Sequence, residues 1–169
     1  MHSYTYPFRL EERSGEVFFT FPHFPEIISS LPREKVAKMK SADFQGHAND
    51  AVLAALQVRI AVREDIPSAH NAMHVRADGF VTLTVPQAMK LELFSLYKEY
   101  SQTISEFARQ INKDETVARR LLDLRHNSVP SHIESAIAAF GRIIVHSWDI
   151  DTRPAFRSSF VKSVVPQPS

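Results

Sequence analysis

Residues 104–124, ISEFARQINKDETVARRLLDL, constrain this chain more than any other stretch. Ile104, Phe107, Ala108 and Ile111 recur at helical spacing. Asn112-Lys113 then breaks the pattern, and Asp114 is a natural N-cap for a new helix. Ala118, Leu121 and Leu122 form the next apolar stripe. Ala108 is small where two helices must cross closely, and Ala118 faces back toward it. Asn112 tolerates the left-handed backbone that a sharp turn between helices needs. This spacing predicts a helix-turn-helix, a motif whose second helix enters the DNA major groove.

With Ala118, Leu121 and Leu122 turned inward, Glu115, Thr116, Arg119, Arg120 and Asp123 point outward or sideways. An arginine can bind guanine O6 and N7 with two hydrogen bonds, and a threonine can offer its methyl to thymine. Lys113 and Arg125 flank the second helix and suit phosphates. The candidate DNA-binding set is therefore Lys113, Glu115, Thr116, Arg119, Arg120, Arg125 and Asn127. The competing reading is a solvated helix in an ordinary bundle, with arginines that serve solubility.

Composition narrows the class without naming a function. A chain of 169 residues holds one or two small domains with real cores. No run approaches the ~20 apolar residues of a membrane span, and MHSYTYPFRLEE lacks a signal-peptide pattern. Cysteine is absent, which removes disulfides and thiolate chemistry and agrees with a cytoplasmic setting. Residues 1–85 carry 9 Lys/Arg and 10 Asp/Glu, and residues 86–169 carry 11 and 9. That difference is small, so the clustering of arginine and lysine at 109–125 is the stronger pointer to nucleic acid.

The first half reads as a small α/β unit. TYPFRLEE alternates, Ser14-Gly15 turns, and EVFFTF returns, which predicts a hairpin over 4–21. Pro22 and Pro25 end it, and Ile27-Ile28 starts a third strand. Residues 31–46 read as a polar, basic loop with a helical turn. HANDAVLAALQVRIAVRED, 47–65, is a helix whose apolar face is assigned to Ala51, Ala54, Ala55, Val58 and Val62, widened by Leu53, Leu56 and Ile60. FVTLTV, 80–85, is a further strand, so the order is β-β-β-α-β.

Pro86 opens the second half at the first turn of a helix that runs to about Tyr100, with Met89, Leu93, Leu96 and Tyr97 on one face. After the paired helices, a further helix starts at Pro130 or Ser131 and ends at Gly141. RIIVHSW, 142–148, is a β-type run. A lone strand needs a partner, and a second copy of the chain supplies one. Ile143, Ile144, Val145 and His146 are accordingly the predicted dimer interface. The stretch from Asp151 has little periodicity and is expected to be a flexible tail.

The order of these pieces resembles HicB-type antitoxins of bacterial toxin–antitoxin pairs. The resemblance runs over most of 4–148. It rests on YPFRLEE with its hairpin, VFFTFPHFPEI, HANDAVLAALQVRI with its stop IPS, VTLTVP, and FARQINKDETVARRLLDLRHNSVPSHIESAIAAFGRIIVHS. It implies an α+β fold: an N-terminal partial ribonuclease-H-like domain (1–85), a helix-turn-helix DNA-binding and dimerisation domain (86–150) and a tail (151–169). It also implies a HicA-like mRNA-cleaving toxin as protein partner, operator DNA as second partner, and repression of the chain's own operon. Two departures fall in the first half. The family's FPDLPG-like turn is here Phe21-Pro22-His23-Phe24-Pro25-Glu26, and 31–46 is longer and more basic than the family's acidic turn. The alternative is an orphan dimeric repressor of the same fold with no toxin.

Neither catalysis, metal nor cofactor is expected. Glu11, Glu12 and Glu16 cluster at the hairpin's turn end and face solvent, away from any cleft where metal-dependent ribonuclease chemistry would need them. His70 and His74 have helical spacing but no third ligand, and His23, His47, His126, His132 and His146 are scattered. Phe19 and Phe21 share one side of their strand and Phe18 lies on the other. The protein-docking surface is assigned to Phe18, Phe21, Pro22, His23, Phe24, Pro25 and Glu26. A core in which both sides are covered is the other possibility.

Overall fold

The computed structural model describes residues 4–68 and 76–143. The His70–His74 pair, Ile144, Val145 and His146 of the expected strand, and the tail from Asp151 lie outside them. The fold is α+β, with a four-stranded antiparallel sheet and six helices among the described residues. These residues fall into two compact units. One comprises 4–56, 67–68 and 76–82, the other 57–66 and 83–143.

In the first unit, β1 (Thr5–Arg13) and β2 (Glu16–Thr20) form the expected hairpin, with Arg13 opposite Glu16. Ser14 and Gly15 both have positive φ, 52° and 81°, as a two-residue turn between right-twisted strands requires. β3 (Ser29–Pro32) pairs with β2, and β4 (Gly79–Thr82) pairs with β1, giving the order β3-β2-β1-β4. Ile27 and Ile28 do not start the third strand. The amides of Phe24 and Ile27 donate to the carbonyls of Phe21 and Phe24, so the chain makes two successive turns first.

One face of the sheet carries Tyr6, Phe8, Leu10, Val17, Phe19, Leu31 and Val81, all buried. Burial of each large apolar side chain contributes about 1.5–3 kcal/mol. Residues 31–46, expected as a loop with a helical turn, supply the end of β3, a short α1 (Arg33–Val36) that matches the turn, and the start of α2 (Ser41–Ala61). The Asp43 carboxylate accepts from the Lys40 amide at 2.8 Å and starts α2 six residues before the expected His47. The buried stripe of α2 is Phe44, Ala48, Val52, Leu56 and Ile60. The face assigned from sequence is off-centre: Ala54, Val58 and Val62 are exposed, while Leu56 and Ile60, expected only to widen it, are buried. Phe44 makes the difference, since its ring packs against that of Phe19.

In the second unit, α3 (Val85–Tyr100) takes Val85 from the expected strand, because the Thr84 amide donates to the Gln87 side chain and caps a helix. α4 (Ile104–Gln110) and α5 (Glu115–Leu122) follow, then α6 (Pro130–Ala138). Phe107, Ala108 and Ile111 of the α4 segment and Ala118, Leu121 and Leu122 of α5 are buried, as their spacing predicts.

The turn between α4 and α5 closes with two hydrogen bonds. The Lys113 amide donates to the Ala108 carbonyl at 2.9 Å and the Asn112 amide to the Arg109 carbonyl at 3.1 Å. This Schellman arrangement needs a left-handed residue at Asn112, whose φ is 52°. Asn112→Ala is expected to destabilise the protein by about 1 kcal/mol, while Asn112→Gly stays within a few tenths of the parent. Chemical denaturation of the full chain measures both, and equal midpoints for the alanine and glycine variants would rule out this role for the turn.

Candidate functional site

The segment 102–127 uses its carboxylates as fasteners. Glu106 accepts from the amides of Gln102 and Thr103 at 2.7 and 3.2 Å, and those two bonds hold its carboxyl below the usual carboxylate range. The Asp114 side chain accepts from the Val117 amide at 2.8 Å and caps α5. Asp123 accepts from the Arg125 amide at 2.9 Å. Glu115 accepts from the Ser105 hydroxyl and pairs with Arg119 at 3.3 Å. The Ser105 bond first, and Arg119 after it, lower the Glu115 pKa from its ordinary value.

The cations are used differently. Lys113, Arg119, Arg120 and Arg125 are exposed, and so are Glu115, Thr116 and Asn127. Among the described residues Lys113, Arg120 and Arg125 make no ion pair. Formal charge over 104–127 is nearly balanced, but all four carboxylates are engaged locally and four cations, exposed Arg109 among them, project without an ion-pair partner among the described residues.

Lys90 fixes the end of α5. It is 1% exposed, and its Nζ donates to the carbonyls of Asp123 at 2.5 Å, His126 at 2.6 Å and Arg120 at 3.3 Å. A helix C-terminus carries unpaired carbonyls and partial negative charge, so a buried ammonium is well matched there. Burial pushes the Lys90 pKa down, and Asp123 partly offsets this. Gln57 adds a second tie, with its Oε1 accepting from the Leu124 amide at 3.0 Å.

Arg63 does the same for α3. It sits at φ 59° and donates to the carbonyls of Ser101 at 2.7 Å, Gln102 at 3.0 Å and Lys98 at 3.4 Å. Its guanidinium lies over the Tyr97 ring, 4.4 Å from the centroid.

The predicted docking surface of the first unit is only partly a surface. Phe21 and Phe24 are buried and therefore leave the set: Phe21 packs against Phe8, and Phe24 meets Tyr6 edge-on. His23 is half-buried beside Tyr6, and its Nδ1 is buried with no hydrogen-bond partner among the described residues. Phe18 is half-buried on the sheet's other face. Pro22, Pro25 and Glu26 are exposed, and Ile28, not singled out from sequence, is 94% exposed. A recess of about 270 Å³ opens beside them, lined in part by Arg9, Thr20, Pro22, Pro25 and Ile27.

Arg142 and Ile143 are not in a strand, and Ile143 is 89% exposed. Among the described residues no three His, Asp or Glu side chains converge as a metal would need, and no helix is long and apolar enough to cross a membrane. No protein-family model matches the chain, and no curated protein matches it.

Sequence reasoning missed Lys90 and Ser105. The signal for Lys90 was a lysine inside the apolar pattern Met89, Leu93, Phe94; Ser105 carried none. Lys90→Met is expected to leave the His126 carbonyl without its donor and to remove one of two donors from those of Arg120 and Asp123. It should destabilise the second unit by about 1–3 kcal/mol and speed amide exchange over 120–127. Exchange unchanged in that stretch would show that Lys90 does not hold α5.

Proposed function

We propose that the second unit is a helix-turn-helix module that binds duplex DNA through α5, and that the chain acts as a repressor of the HicB antitoxin type. The observation that carries this reading is the charge arrangement of 102–127. Carboxylates are turned onto local amides and side chains, while Lys113, Arg120 and Arg125 stand free around a short helix with an exposed polar face. Thr116, Arg119 and Arg120 lie where base edges are read, and Lys113, Arg125 and Asn127 flank them for phosphates. Ile143, exposed beyond α6, supports self-association through the segment that follows.

The first unit, on this reading, has a partial ribonuclease-H-like fold without catalytic use and serves as a protein-docking module. Exposed Pro22, Pro25 and Ile28 beside a recess are the observation that favours a protein partner, and a small mRNA-cleaving toxin is the partner the HicB resemblance implies. An orphan repressor would keep the DNA chemistry and lack this partner.

Binding of the full-length protein to a 30-bp duplex, followed across salt concentrations, tests the DNA reading. Lys113→Ala or Arg125→Ala should weaken binding to all sequences and flatten the log–log salt slope by about 0.9 for each phosphate left without its cation. Arg120→Ala should instead cost about 1–3 kcal/mol on a preferred sequence and relax one base position. Salt slopes unchanged in both Lys113→Ala and Arg125→Ala would overturn the assignment.

The docking reading has its own test. Ile28→Arg in the full chain should abolish co-purification with a toxin encoded beside it and leave DNA affinity intact. Retained co-purification would move the partner's footprint off this loop.

A further inference from the structure

Arg119 differs from the other exposed cations of the segment because it is not free. Its Nη2 is 3.3 Å from one oxygen of Glu115, one helical turn earlier, and the other oxygen of Glu115 accepts from the Ser105 hydroxyl on α4. The chain Ser105–Glu115–Arg119 thus joins two helices on the outward surface. Both ion-pair partners are largely exposed, with side chains 64% and 47% accessible, so the pair adds little to stability. Its physical effect is orientation. An arginine side chain has many rotamers, and a fixed carboxylate one turn away selects those that lay the guanidinium along the helix face.

Glu115 is also the first residue of α5, the end that approaches base edges in a helix of this kind. A carboxylate there is unfavourable toward phosphates and favourable toward the N4 amino group of cytosine. Building on the DNA reading above, we propose that Glu115 is a specificity-determining residue: buttressed by Ser105, it aims Arg119 at a guanine and penalises placements in which Arg119 serves a phosphate. The preferred site then contains a guanine read by Arg119, with a cytosine amino group within reach of Glu115. Glu115 acts as a positioning residue for Arg119, and binding strength on arbitrary DNA is lower for its presence.

The test is selection from a randomised 30-bp duplex library by the full-length wild type, Glu115→Gln and Ser105→Ala, followed by affinities on the selected duplex and on an unselected one. Glu115→Gln keeps the side chain's shape and removes its charge. It should raise affinity for the unselected duplex and cut the ratio of selected to unselected affinity roughly tenfold, with the guanine preference lost at one position. Ser105→Ala should move the same ratio in the same direction by less. A loss of folding alone would lower both affinities together and leave the base preference unchanged, which would overturn the positioning role. If the wild type selects a sequence and Glu115→Gln selects the same one with the same ratio, the role of Glu115 is overturned and the DNA reading stands. If the wild type enriches no sequence, both fall.

Discussion

The buried ammonium of Lys90 is the constraint on which the second unit depends. Three carbonyls from the end of α5 and the loop after it converge on one nitrogen that is almost wholly out of water. The Arg120 and Asp123 carbonyls also accept the amides of Asp123 and His126, so the His126 carbonyl depends most on this donor, and an unpaired buried acceptor costs free energy comparable to a missing hydrogen bond. The ammonium also meets the negative end of the α5 dipole. Lys90 therefore fixes where α5 stops and how the loop carrying Arg125, His126 and Asn127 leaves it. The opposite end of α5 is set by Asp114 on the Val117 amide, and the turn before it by Asn112. A helix of only eight residues has little stability of its own. Its shape is imposed from both ends, and that leaves its outward face available for residues chosen for chemistry.

The same division of charge recurs across the segment. Glu106, Asp114 and Asp123 satisfy amides, and Glu115 satisfies a hydroxyl and a guanidinium. Lysine and arginine divide into a buried or packed group that satisfies carbonyls, Lys90 and Arg63, and an exposed group that does not. A near-neutral segment can therefore present a positive surface. Net charge summed over residues hides this, because it does not distinguish a carboxylate facing its own backbone from one facing solvent.

The legible parts of the sequence were those governed by local rules. The apolar stripes of α4 and α5, the left-handed Asn112, the Asp114 cap and the Ser14-Gly15 turn each follow from a few neighbouring residues. The α2 face was not legible, because that helix is apolar nearly all round and periodicity gives no preferred side. Only its neighbours choose, and Phe44, read as loop, fell outside the periodic stretch. Phe21 and Phe24 are assigned to a docking surface from the sheet edge expected around Pro22 and from the HicB resemblance, yet the two turns of that loop fold them onto Phe8 and Tyr6. Lys90 and Arg63 act on carbonyls thirty or more residues away; a lysine within an apolar stripe marks Lys90 as unusual, but nothing local names the carbonyls that either side chain caps. At the candidate site the exposed set was readable from helix phase alone, whereas the Ser105–Glu115–Arg119 linkage needed the crossing of two helices.

The most direct test of DNA binding through α5 is a map of backbone amide chemical shifts for the full-length protein titrated with duplex DNA. Perturbations are expected to concentrate in residues 113–127, with the β1–β2 hairpin and the Pro22–Ile28 loop unmoved. Perturbations confined to the sheet, or no change over 113–127 at saturating duplex, would contradict it.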